Sequence, residues 1–169
     1  MAESVMSSRE RILALVAAQP GLHLRELPRR LGVSLRSVRY HLETMADEHL
    51  VTSHRSGRFE RWFAAGAFSA EDRALISALR VRGQRTILAC LRREGPMRFG
   101  SLQKATALSS ATLVRDLERL SAGRLVEIAA DRANRLQDPR ASVMRLALYR
   151  QRFPDLLADA AYEIFDGTR

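Results

Sequence analysis

Apolar residues recur at helical spacing along most of this chain and are punctuated by Ser, Gly and Pro. Ile12, Leu15 and Val16 mark one helix face, and Ser7 followed by Glu10 supplies a capping box ahead of them. Pro20-Gly21 ends that helix. Leu24, Leu27 and Leu31 predict a second, short helix stopping at Gly32, with Pro28 inside it expected to remove one backbone bond and bend it. Gly32-Val33-Ser34 reads as a tight turn, with Ser34 the N-cap of a third helix running to Asp47. Val38, Leu42 and Met45 form its inward face. Leu50-Val51-Thr52 begins a strand, Ser56-Gly57 turns it, and Phe59–Phe63 returns.

The pattern then repeats. Sliding the chain by 75 residues aligns Arg11–Val51 with Thr86–Val126 without a gap. Ile12-Leu13-Ala14 falls on Ile87-Leu88-Ala89, Leu27 on Leu102 and Ser34 on Ser109. Leu42-Glu43 falls on Leu117-Glu118, and Leu50-Val51 on Leu125-Val126. Most matches are apolar positions that would share a core. The second copy predicts helices over Gln84–Arg93, Phe99–Thr106 and Ser110–Ala122, a strand over Leu125–Ala129, a turn at Asp131–Ala133 and a return at Asn134–Gln137. Ser69–Val81 reads as a linking helix capped by Ser69 and Asp72. Pro139 opens a helix over Arg140–Arg152, followed by an amphipathic one over Pro154–Phe165 with Leu156, Leu157, Ile164 and Phe165 on one stripe. The expected fold is mainly α with small β-hairpin wings: two tandem winged helix-turn-helix modules plus linking and C-terminal helices. The expected divisions are 1–68, a link at 69–82, a second module at 83–138 and C-terminal helices over 139–169.

Composition narrows the function. Of the 169 residues, 46% are hydrophobic and only 6% aromatic, so the core must rest on aliphatic residues, which favours helices over a β-sandwich. The formal charge is +9 and Lys104 is the only lysine. That balance points to a polyanionic partner, and arginine's planar fork suits phosphates and guanine edges. No apolar run approaches the ~18 residues of a membrane span, and the polar start MAESVMSSRE is no signal peptide. Cys90 stands alone, which excludes a disulfide within the chain and agrees with a reducing cytoplasm, where the expected location is the nucleoid.

The segment LRELPRRLGVSLRSVRYHLETMADEHLVTSHRSGRFERWF resembles the ArsR-like and archaeal-type winged helix-turn-helix regulators. It carries their second helix, Gly-Val-Ser turn, Val-Arg-Tyr-His-Leu reading helix and basic wing in order. DPRASVMRLALYRQRFPDLL resembles the helices that follow the second module of tandem winged-helix proteins. The resemblance implies a sequence-specific regulator of transcription bound to double-stranded DNA. A helix of this kind fits the major groove, where its N-terminal turns reach base edges and phosphates. With Val38 and Leu42 inward, Leu35, Arg36, Ser37, Arg39 and Tyr40 point outward. Arg36 and Arg39 suit guanine or phosphate, Ser37 and Tyr40 suit phosphate oxygens, and Ser34 offers a helix-start contact. His54, Arg55, Gly57 and Arg58 form a wing sized for the adjacent minor groove or backbone. In the second copy Arg36 becomes Ala111 and Arg39 becomes Val114, leaving Arg115 as its candidate DNA contact.

Other classes find less support. Paired carboxylates, a nucleophile with its base and a phosphate-binding glycine loop are all missing from the pattern, so an enzyme is not expected. His23, His41, His49 and His54 lack the cysteine partners of metal-sensing ArsR proteins, so neither metal nor cofactor is expected. Cys90 aligns with Leu15 and reads as a small buried hydrophobe. A homodimer through the linking or C-terminal helices is expected, with any small-molecule effector left open. The alternative is an architectural or protein-interaction tandem winged-helix protein without strong sequence preference.

Overall fold

A computed structural model describes residues 6–57 and 59–141, together with 144, 145 and 149. The chain divides into two compact units, Met1–Arg73 and Ala74–Arg169.

In the first unit the order is α1 (Ser8–Ala18), β1 (Leu22–His23), α2 (Glu26–Leu31), α3 (Leu35–Asp47), β2 (Val51–Ser56) and β3 (Phe59–Ala64). α1 opens with the expected capping box, the Ser7 side chain accepting from the Glu10 amide and Glu10 reaching back to the Ser7 amide. Its inward residues Ile12 and Val16 meet Leu27, Val38, Leu42, Met45, Val51 and Trp62 in one core. Arg9 of α1 forms a two-pronged ion pair with Glu48, just past α3, and this contact holds the Glu48 carboxyl below its usual range.

Two features depart from the sequence pattern. Pro28 removes no hydrogen bond from α2, because the helix begins at Glu26 and places Pro28 in its first turn. Amides there have no acceptor within the helix, so the missing donor costs nothing. The wing is also a three-stranded sheet of order β1-β3-β2, with Leu22 opposite Trp62 and His23 opposite Arg61. Arg61 is buried and donates to the Gly21 carbonyl at 2.8 Å, fixing β1 against the hairpin.

α4 (Ala70–Leu79) begins at the expected cap, with Ser69 and Asp72 exchanging hydrogen bonds of 3.0 and 3.1 Å. The second unit continues with α5 (Arg82–Glu94), β4 (Met97–Arg98), α6 (Phe99–Thr106), α7 (Ser110–Ala122), β5 (Val126–Ile128) and β6 (Ala133–Leu136). Its sheet order is β4-β6-β5, the same arrangement as in the first unit. α3 and α7 lie in the same register 75 residues apart, and each is capped by a serine, Ser34 or Ser109. A helix also starts at Pro139, where Asp138 accepts from the Ala141 amide at 2.9 Å. The amphipathic stretch expected over Pro154–Phe165 lies outside the described residues.

The repeat extends to backbone conformation. Gly32 and Ala107 end α2 and α6 in the left-handed region, with φ of 68° and 54°. His49 and Arg124, which follow α3 and α7, share it at 58° and 55°. A β-carbon in that region crowds the next carbonyl, so glycine is the fitting residue at the first pair and alanine is strained there. Ala107→Gly is expected to raise the urea midpoint, by about 0.5–1 kcal/mol of stability, and Gly32→Ala to lower it by a similar amount. Nothing lies within 4 Å of a β-carbon built on Gly32, so its loss is conformational and not a clash.

Candidate nucleic-acid interface

α3 is sharply two-sided. Val38, Leu42 and Met45 are fully buried, which fixes the rotation of the helix against α1 and α2. Leu35, Arg36, Arg39, Tyr40, Glu43 and Asp47 are exposed, Tyr40 at 64%. Arg36, Tyr40, Glu43 and Asp47 follow the spacing of one helix face, with Arg39 beside them. Ser37 is half-buried, and its amide donates to the Ser34 side chain at 3.1 Å, so both serines serve the cap. The Tyr40 ring meets His41 edge-on at 5.5 Å.

The charge order along this face runs against helix stability. Backbone dipoles leave the start of a helix positive and its end negative, so cations are favoured late and anions early. α3 has no acidic residue in its first turn and no basic residue in its last. Arg36 instead stands in the first turn, Arg39 one turn on, and Asp47 at the end. The inverted order concentrates positive charge where the helix start already attracts anions. Arg36 and Arg39 form no hydrogen bond or ion pair among the described residues.

The hairpin supplies the second basic element. β2 and β3 pair from Val51 opposite Ala64 to Ser56 opposite Phe59. Gly57 turns the tip at a φ of 62°, as an L side chain rarely does. Arg55 is exposed, stands opposite Glu60 and forms no ion pair among the described residues. Arg58 lies outside the described residues. His54 is half-buried with its ring edge-on to Phe63 at 6.5 Å. Burial, then the charges of Arg73 and Arg61, lower its pKa, which disfavours the charged form of His54.

The second unit brings less together. Ala111 and Val114 replace the two α3 arginines, and the exposed Arg115 lies 3.7 Å from the buried carboxylate of Asp116, which Arg119 also approaches at 3.8 Å. Cys90 is buried, within 3.5 Å of the Met97 sulfur, and burial pushes its thiol pKa up. Among the described residues no group of three or more His, Cys, Asp or Glu is placed to hold a metal ion. None of the helices among them is long and apolar enough to cross a membrane.

α2 adds two residues that the reading-helix motif does not single out. Arg25 immediately precedes its first residue, Arg29 follows four positions later, and both are exposed without an ion pair among the described residues. Their spacing on a short helix ahead of the turn was the available signal.

Three helices packed around one core, the outermost (α3) capped by Ser34, and a three-stranded wing define the first unit as a winged helix-turn-helix domain. Residues 6–76 match the family model HTH_HVO_0163_N, described as an N-terminal HTH domain. The match spans α1 through most of α4 and covers less than half of the chain. No curated protein shows a significant match.

Proposed function

We propose that this protein is a sequence-specific double-stranded DNA-binding regulator of transcription. In this reading α3 enters the major groove by its first turns, and the wing follows the adjacent minor groove or backbone. The inverted charge order of α3 carries the proposal: Arg36 and Arg39 sit at the end where a stable helix prefers acids, beside a basic wing. The likeness of the first unit's motif to ArsR-like and archaeal-type regulators supports the same reading. Ser34, Ser37, Tyr40, His54 and Gly57 then position the backbone, while Arg36, Arg39, Arg55 and Arg58 supply cations. Arg115 assists from the second module.

The proposed divisions remain 1–68, 69–82, 83–138 and 139–169, with a homodimer formed through the linking or C-terminal helices and the protein residing on the nucleoid. Such a dimer presents two α3 helices to half-sites about 34 Å apart or a multiple of it.

Selection of bound duplexes from a random pool tests the function. A shared sequence is expected among the recovered duplexes, with symmetry if a dimer binds; a pool that stays random overturns specific reading. Arg39→Ala is then expected to weaken the selected site by about 10–100-fold and flatten preference at one position. Arg115→Ala is expected to weaken all sequences alike. Equal loss of specificity in both variants would remove the division of labour between the modules.

A further inference from the structure

α7 and the β5–β6 hairpin line an open cavity of about 630 Å³ in the second unit. Phe99, Val114, Leu117, Val126 and Ile128 make its walls apolar, and Arg132 stands among the lining residues. Val114 and Ile128 are 45% and 71% exposed, apolar surface left facing water.

The first unit shows what has changed. Shifted by 75 residues, Val114 replaces Arg39, Ile128 replaces Ser53 and Arg132 replaces Gly57. Leu117, Glu118 and Val126 keep the character of Leu42, Glu43 and Val51. Glu118 also lines the cavity, a negative charge from which a bound carboxylate must stand away. Phe99, Ser121 and Asn134 also differ, standing where the first copy has Leu24, Ala46 and Phe59, but the changes of chemical character facing the cavity are the apolar Val114 and Ile128 and the Arg132 cation. Arg132 has a φ of 62°, matching Gly57, so an arginine holds a backbone position that the first copy gives to glycine. It is exposed and forms no ion pair among the described residues.

We infer that this cavity binds a small amphipathic carboxylic acid, its hydrocarbon body against Val114 and Ile128 and its carboxylate on Arg132. The volume lies within the roughly 300–1,000 Å³ of small-molecule sites. A guanidinium binds a carboxylate through two parallel hydrogen bonds, which distinguishes an acid from an alcohol of the same length. The inference rests on the second unit alone and holds whether or not α3 reads DNA.

Calorimetric titration of the full chain with octanoate and with 1-octanol tests it. Octanoate is expected to bind saturably, one per chain, and about tenfold more tightly than the alcohol. Arg132→Gln is expected to remove that advantage and leave 1-octanol unchanged. Val114→Arg and Ile128→Ser install the first copy's residues at exposed positions, so folding is retained, as thermal melts would verify. Each is expected to weaken both ligands. Equal binding of acid and alcohol, indifference to Arg132→Gln, or no saturable binding of octanoate overturns the inference.

Discussion

Leu42→Ala is expected to destabilise the first unit by about 3–5 kcal/mol, the upper part of the range for a buried leucine. Leu42 is fully buried on the inward face of α3, in one core with Ile12, Val16, Leu27 and Trp62. Removing its side chain leaves a cavity between helices that are held by their own caps and by the wing. Close-packed walls relax only partly into such a gap, so most of the lost contact is not recovered. Trp62 is the chain's single tryptophan and is itself buried in this core, which makes its fluorescence a local probe. With a urea slope of about 1–3 kcal/mol per molar, its midpoint is expected to fall by more than about 1 M. Leu117→Ala makes the matched comparison. Leu117 occupies the same helix position but is half-buried and lines the open cavity, so its circular-dichroism transition should shift by about half as much. Equal losses would mean that the cavity is closed in solution.

That comparison exists because the repeat is legible in the sequence. Apolar positions and N-cap serines recur at a gapless offset, and side-chain burial fixes the rotation of α3 and α7 once the helices form. The boundaries of α3 and α7 agree with the pattern because serine caps and apolar spacing act together there. β1 and β4 were not legible, since two residues are too few to show alternation and their pairing partner is distant in sequence. Pro28 was legible as a helix breaker in general, but its effect depends on where the helix starts. Leu24 carries the apolar spacing yet lies ahead of that start.

The candidate site divides in the same way. Arg36, Arg39 and Tyr40 follow from Val38 and Leu42 being inward, an inference that needs only helix geometry. Sequence spacing gave Ser37 and His54 an outward role, whereas the cap and the Phe63 ring hold both half-buried. The cavity of the second unit was visible only as a loss, Arg39 becoming Val114. That it is also a gain depends on the hairpin placing Ile128 and Arg132 across from α7, a long-range relation that no local pattern carries.

A random duplex titrated against salt is expected to show the second large effect and to separate the two DNA readings. Neutralised phosphates release condensed counterions, and each contact contributes about −0.9 to the slope of log affinity against log salt. About five contacts give a slope near −4 to −5, so affinity falls by about 500-fold from about 50 to about 200 mM salt. Arg36, Arg39 and Arg55 are exposed and without ion pairs among the described residues, so each is available as one such contact. Replacing all three with Gln is expected to flatten the slope by about 2.7 if each meets one phosphate. Arg25→Gln and Arg29→Gln test in the same way whether α2 supplies the remaining contacts. A slope near zero, or no binding at low salt, would favour a protein-interaction module over a DNA binder. Random and selected duplexes bound equally well at every salt would instead favour an architectural role, because the electrostatic term alone would then account for the affinity.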